Sequence, residues 1–252
     1  MRTIAVTNQK GGSGKTTTSV NLAAALGEKG KRVLLVDLDA QASSSTWYGV
    51  KDGGKGLFDV FVGNGNLVDL VHQTSAPGVE LIPSSSWLMG TDKSLAGEVG
   101  AETILRRHLD RLPRDRWEYV LLDCPPALGV LTVNALAAAG EVLVPVESHV
   151  LALNGLAQLL KTLDVVKERL NPSLEIMGIL ACRVDSRTRH ALEVVEMLRT
   201  RFGKQVFKTV IRENVRLAES PSFSQPITQY DPGSHGAEDF RSLALEILRR
   251  GK

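Results

Sequence analysis

Residues 2–22 read Arg2-Thr3-Ile4-Ala5-Val6-Thr7, then Asn8-Gln9-Lys10-Gly11-Gly12-Ser13-Gly14-Lys15-Thr16-Thr17, then Thr18-Ser19-Val20-Asn21-Leu22. A short apolar, β-branched run is followed by a glycine-rich turn and then by a helical pattern. Three glycines in four residues let the backbone turn tightly and aim successive N–H groups at one point. The helix N-terminus beyond them adds partial positive charge, which favours a polyphosphate. Lys15 stands where it reaches the β- and γ-phosphates, and the Thr16 hydroxyl where it ligates Mg²⁺. The strict pattern G-x-x-x-x-G-K-[ST] is not met, because Gln9 occupies its first glycine position. What stands is K-G-G-x-G-K-[ST], with an additional lysine, Lys10, at its start. The candidate nucleotide-binding residues are therefore Lys10, Gly11, Gly12, Ser13, Gly14, Lys15, Thr16 and Thr17.

Outward from this loop, short Val/Ile/Leu runs alternate with longer helical patterns. The apolar runs predict strands over 2–7, 33–38, 79–83, 118–123, 141–147, 175–182 and 205–211. Three of them, 33–38, 118–123 and 141–147, are apolar almost throughout, as strands buried on both faces are. Helices are predicted over 15–29, 92–112, 130–139, 151–170, 187–202 and 236–249. Such alternation implies βαβ units and an α/β fold: a doubly wound, mostly parallel sheet flanked by helices. No internal repeat or long linker divides the chain, so a single domain over 1–252 is expected. The stretch 219–236, rich in Pro, Ser and Gly, reads as an ordered surface loop before the last helix.

In open α/β sheets ligands bind beyond the carboxyl ends of the strands. Two predicted strands end in acid there: Val36-Asp37-Leu38-Asp39 and Val120-Leu121-Leu122-Asp123. Beside a phosphate loop, Asp123 is placed to hold Mg²⁺, most simply through a coordinated water, and Asp39 to orient the attacking water. Either aspartate alone could instead be a helix N-cap. Phosphoryl transfer asks mainly for positioning and charge neutralisation, and Lys15, Thr16, Asp39 and Asp123 supply the parts. No Asn-Lys-x-Asp run is present to read guanine, so ATP with Mg²⁺ is the expected ligand pair.

Composition narrows the rest. With 252 residues, 43% hydrophobic, the chain can bury a substantial core, and its charge balance excludes a disordered chain. No apolar run approaches ~18–20 residues, so no spanning helix is expected, and the strand-like start argues against a signal peptide. Two cysteines separated by 57 residues, Cys124 and Cys182, form no C-x-x-C and suit a reducing compartment. The five histidines lack metal-ligand spacing. Net charge is only +2, yet Arg183–Arg216 carries nine Lys/Arg against four Asp/Glu, a local +5 that leaves the remainder at −3. That segment is a candidate nucleic-acid face, although a solvated helix surface accounts for the same run. A second basic cluster over 106–116 reads as the polar side of an amphipathic helix.

NQKGGSGKTTTSVNLAAAL, VLLVDLDAQAS, YVLLDCPPALGVLTVNAL and NVRLAESPSFSQPITQYDPGSHGAEDF together resemble the ParA-type partition ATPases, the family that includes Soj and is related to MinD. The resemblance spans nearly the whole chain. It implies a P-loop NTPase with a deviant Walker A motif, slow Mg²⁺-dependent ATP hydrolysis and an ATP-bound homodimer. It further implies binding to non-specific double-stranded DNA, a ParB-like or cargo-adaptor partner that stimulates hydrolysis, and a cytoplasmic, nucleoid-associated location. Lys10 matches the signature lysine that crosses the dimer interface to the partner's nucleotide. Asp39 matches the acidic residue needed for hydrolysis, and Asp123 the Walker B aspartate. Asn214, with Arg212, falls where the family contacts adenine. Arg216 matches a position used for DNA binding, with Arg187, Arg189 and Lys204 further candidates from the basic segment. Three positions depart from the family pattern: Ala40 replaces Pro, Arg212-Glu213 replaces Pro-Arg, and Glu147-Ser148-His149 replaces Gln-Pro-Glu. No N-terminal helix-turn-helix domain is expected. The alternative, a MinD-like membrane ATPase, needs a detachable amphipathic tail. Phe240, Leu243, Ile247 and Leu248 instead form a stripe that suits the core, so no stable membrane binding is expected.

Overall fold

A strand such as Val33-Leu34-Leu35-Val36 presents apolar side chains to both faces and is stable only when covered twice. The computed structural model, which describes residues 1–51 and 54–250, shows how that cover is built. One sheet contains β1 (Arg2–Val6), β2 (Val33–Asp37), β3 (His72–Gln73), β4 (Val79–Ile82), β5 (Tyr119–Asp123), β6 (Glu141–Glu147) and β7 (Glu175–Cys182). Their order is β3-β4-β2-β5-β1-β6-β7, and every pairing is parallel except that of β3 with β4. The expected α/β fold with a mostly parallel sheet is what the chain adopts.

The helices are α1 (Lys15–Glu28), α2 (Ser43–Trp47), α3 (Gly56–Phe61), α4 (Thr91–Ser94), α5 (Ile104–Leu109) and α6 (Val130–Ala138). They continue as α7 (Val150–Arg169), α8 (Arg189–Phe202), α9 (Val215–Glu219), α10 (Ile227–Tyr230) and α11 (His235–Arg250). Alternate strand residues feed two separate cores. Leu34, Val36, Val120 and Leu122 pack with α5 to α8, whereas Leu35, Leu121 and Leu143 pack with α1 and α11. Phe240, Leu243 and Ile247 of α11 are fully buried against the second face, as their spacing implies.

Three expectations need correction. The run 205–211 does not form a strand. It follows β7 through Phe207 N–H to Ile179 O and Ile211 N–H to Ala181 O, both 2.9 Å, but only isolated bridges result. Between them the Glu246 carboxylate accepts the Lys208 and Thr209 N–H groups and diverts the ladder. The predicted helix 92–112 is broken into α4, a 3₁₀ turn at Ala101–Thr103 and α5, because Gly97 and Gly100 adopt left-handed φ values of 81° and 76°. The stretch 219–236 is ordered but more than a loop: it forms a 3₁₀ turn at Ser220–Phe223 and then α10, with Ser220, Ile227 and Thr228 buried. Asn21 of α1 anchors it by accepting the Ile227 N–H at 2.7 Å.

Candidate functional site

β1 lies inside the sheet, next to the central strand β5, so the turn that follows it opens within the carboxyl edge. Buried Asn8 fixes the turn's start: its amide donates to Pro145 O at 2.7 Å and its oxygen accepts the Lys10 N–H at 3.1 Å. Gly12 and Gly14 take φ values of 74° and 92°, and Gly14 hands the chain to α1 as a left-handed N-cap. A Cβ on Gly11 or Gly12 would meet nothing within 4 Å, so this side of the loop faces open space. The Ser13 hydroxyl and the Gln9 amide nitrogen are buried with no protein partner. Lys15 is 7% exposed and its ammonium has one long acceptor, Lys10 O at 3.4 Å. Burial lowers its proton affinity, against the pull of Asp123 and Asp39. A rigid turn, open amides, an unpartnered hydroxyl and a poorly paired buried cation together fit a polyphosphate.

Under the loop lie two carboxylates. β2 and β5 are neighbours in register, which sets Asp37 directly beside Asp123, both fully buried. Asp123 accepts the hydroxyls of Ser19 at 3.1 Å and Ser44 at 2.7 Å, and that of Thr16. Asp37 accepts the Ser45 N–H and hydroxyl at 2.8 and 2.7 Å, and the Asp39 N–H at 3.2 Å. Burial pushes both carboxyls well above the usual carboxylate range, and mutual repulsion adds to the rise at Asp37. Among the described residues no cluster of three or more His, Cys, Asp or Glu could hold an ion by itself. Thr16 and Asp123 therefore fit Mg²⁺ as partial ligands that share the ion with phosphate oxygens. Asp37 and the hydroxyls of α2 were missed as candidates, though the acid pair in Asp37-Leu38-Asp39 and the run Ser43-Ser44-Ser45 signal both.

Gly11 to Thr18, Asp39 and Pro126 line one cleft with residues 182–187, Arg212, Asn214, His235 and Phe240, enclosing about 840 Å³. Gly11 to Thr17, Asp39, Arg212 and Asn214 thus share one cavity, whose lining does not include Lys10. Arg212, however, is saturated by Asp239 (2.6 Å) and Glu238 (2.8 Å), which hold its guanidinium above its ordinary proton affinity. Asn214 caps α9, its oxygen accepting the Leu217 N–H at 3.2 Å, so its amide nitrogen is the donor left on that wall. Lys10 instead pairs with Glu147 at 3.1 Å. Arg183 holds the other oxygen of Glu147 at 2.9 Å.

Two of the basic candidates are tied to carboxylates. Arg187 pairs with Asp185 at 2.9 Å, and Arg216 with Glu219 at 3.0 Å and Asp231 at 3.7 Å. Arg189 and Lys204 make no side-chain ion pair among the described residues, but they flank opposite ends of α8, about 20 Å apart. Cys124 and Cys182 are buried free thiols, and burial pushes the Cys182 thiol up to about 12.

Residues 1–176 match the AAA domain family. The chain is 42% identical over 250 residues to the sporulation initiation inhibitor protein Soj of Bacillus subtilis, covering 98% of each chain. It is 48% identical to the chromosome-partitioning ATPase Soj of Thermus thermophilus over 99% of this chain and 96% of that one. Among solved structures it is similar to cobyrinic acid a,c-diamide synthase of Mycobacterium smegmatis bound to an ATP analogue and magnesium: TM-score 0.87, 35% identity, covering 100% and 96% of the two chains. It is also similar to the cell division ATPase MinD of Pyrococcus furiosus, with TM-score 0.79, 28% identity and 98% of each chain covered. Mg²⁺ and adenine nucleotide are thus the ligands bound in a close structural relative. With its glycine turn, its paired strand-end acids and these relatives, the chain belongs to the ParA/Soj family of partition ATPases, the deviant Walker A class that also includes MinD.

Proposed function

We propose that this ATPase closes into a dimer on ATP, binds non-specific duplex DNA in that state, and positions a chromosome, plasmid or other cargo with a ParB-like partner that stimulates hydrolysis. The observation that carries the ATP chemistry is Lys15, a buried ammonium lacking a good protein acceptor and flanked by open loop amides. The amides of Gly11 to Thr17 cradle the phosphates, and Lys15 neutralises charge as it gathers on the transferred group. Thr16 and Asp123 would hold Mg²⁺, which would supply charge neutralisation at the phosphates when bound. Asp39, half-buried and tied to the Gln41 N–H at 3.0 Å, orients the attacking water. Lys10 reaches the nucleotide of a second copy after leaving Glu147.

The DNA reading rests on the +5 segment, in which Arg189, Arg199, Arg201, Lys204 and Lys208 make no ion pair among the described residues, while Arg187 and Arg216 must exchange a carboxylate for a phosphate. Such solvent-exposed pairs are weak and yield easily. A dimer doubles the phosphate contacts and makes DNA affinity depend on nucleotide state. Binding to random-sequence duplex DNA, measured with ATP, ADP or neither across a salt series, tests this. Binding with ATP alone, falling with salt at ~0.9 per phosphate contact, is the expected result. Absence of binding while ATP still drives dimerisation would falsify the DNA surface.

A further inference from the structure

Six residues, Cys124 to Gly129, connect Asp123 at the end of β5 to Val130, the first residue of α6. The middle of this connection reaches the nucleotide cleft, because Pro126 lines it together with Gly11 to Thr18 and Asp39. Its first end is tied to the sheet, where the Cys124 N–H donates to Val6 O at 3.2 Å. Its other end depends on where α6 begins. Gly129 stands at the N-cap and has no side chain to satisfy the open N–H groups of the first turn. The cap comes from a different element: Asp92 of α4 accepts the Val130 N–H at 2.9 Å. A carboxylate is also the favourable charge at a helix N-terminus. Within the first turn the Thr132 hydroxyl donates to Ala127 O at 2.6 Å, which ties the connection to the position of the helix start.

Gly129 shows how closely this cap is built in. Its φ of −83° and ψ of −174° are extended backbone that any residue adopts. A Cβ there, however, would lie 2.9 Å from Asp92 Oδ2 and 3.1 Å from Oδ1. Glycine at 129 is therefore required by the approach of the carboxylate and not by the turn. The body of α6 is held separately: buried Asn134 donates to Ala101 O at 2.7 Å and accepts the Leu105 N–H at 3.0 Å. Loss of the Asp92 carboxylate thus frees the first turn of α6 and the connection before it, and leaves the helix docked.

We propose that Asp92 is a positioning residue for ATP hydrolysis: by capping α6 from α4 it fixes the Cys124–Gly129 connection, and with it Pro126, against the nucleotide cleft. Asp92 does not itself line the cleft and touches no reacting atom. The inference rests on the reading of that cleft as the ATP site. Lys15 and the glycine turn bind nucleotide with or without the cap, so the cap acts on turnover and not on affinity.

The test compares kcat and KM for ATP in the full chain, well below the lowest melting temperature of the set, for the parent, Asp92→Ala, Asp92→Asn, Gly129→Ala and the double variant Asp92→Ala/Gly129→Ala. Asp92→Ala and Gly129→Ala should each lower kcat about three- to thirtyfold, the rate equivalent of a lost helix cap, with KM unchanged. The double variant should be no slower than either single one, because both changes remove the same contact. Asp92→Asn keeps an acceptor oxygen and should retain most of the parent rate. A parent kcat in Asp92→Ala with a lowered melting temperature makes the cap purely structural and overturns the proposal. So do losses that multiply in the double variant, or a rise in KM alone. If Asp92→Ala does not fold, Gly129→Ala against Asp92→Asn decides in the same way. Lys15→Met, measured alongside, separates the two readings. Parent-like hydrolysis in that variant removes the ATP site and the proposal with it, whereas an inactive Lys15→Met beside an unimpaired Asp92→Ala removes only the positioning role.

Discussion

Lys15 and Asp37 show how single residues in this protein are held at a cost that only ligand binding offsets. An ammonium buried with one weak acceptor is destabilising by itself, since taking a charge out of water costs several kcal/mol unless it is well paired. Lys15→Met should therefore leave the melting temperature of the ligand-free protein unchanged or raised. The same variant should lose the upward shift produced by Mg-ATP, and hydrolysis should fall about 10²–10³-fold. Differential scanning fluorimetry and a phosphate-release assay read the two effects separately. The carboxylate pair has the opposite sign of charge and a defined pH dependence. Asp37 and Asp123 have folded-state pKa values raised by burial, so the native state holds more protons than the unfolded chain between the ordinary carboxylate range and neutrality. Stability without magnesium or nucleotide must then fall as pH rises through that window. Urea midpoints measured from pH 4 to pH 8 check the direction. Asp37→Asn should flatten the fall while lowering stability near pH 5, because an amide NH₂ would face the N–H of Ser45 or Asp39.

At the scale of elements, α1 connects loop chemistry to packing. Gly27 lies in its last turn, where alanine is the better helix former by about 1 kcal/mol. A Cβ there would lie 2.1 Å from Pro77 O, backbone with nowhere to go. The overlap outweighs the propensity, and Gly27→Ala should destabilise by about 1–3 kcal/mol in thermal unfolding. The same elements show what could be read in advance. The glycine turn, the six main strands and the long helices α1, α6, α7, α8 and α11 were visible as patterns because each is dominated by local chemistry: glycine spacing, apolar period, capping. The run 205–211 has the pattern of a strand but does not form one, because a distant carboxylate, Glu246, captures two N–H groups that a strand would have used. The break in 92–112 was legible in Gly97 and Gly100, but an unbroken apolar period masked it. Asp37 stood in plain view beside Asp39, yet its pairing with Asp123 depends on β2 and β5 being neighbours, which no local pattern discloses. Arg187 and Arg216 were legible as charges, while their carboxylate partners were not.

For the whole molecule, two cores on opposite faces of one sheet decide which parts can move. Phe240, Leu243 and Ile247 anchor α11, and at about 1.5–3 kcal/mol for each buried side chain their release costs roughly 5–9 kcal/mol. That is comparable to the entire stability of a typical domain, so α11 cannot leave to lie on lipid while the fold survives. With ATP and anionic liposomes the protein should stay in the supernatant after centrifugation; pelleting would show that another surface meets the membrane. The clamp between Asn21 and Ile227 has a further consequence, for time rather than for energy. By composition, the Pro- and Ser-rich stretch before α11 is where a protease would be expected to nick and where amide protons would be expected to wash out within seconds. Held from inside by the helix that carries the nucleotide loop, the Ile227 amide should instead exchange as slowly as the sheet itself. Deuterium uptake would then show its deepest silence at Ile227, amid amides held only by local turns, keeping time with the opening of α1.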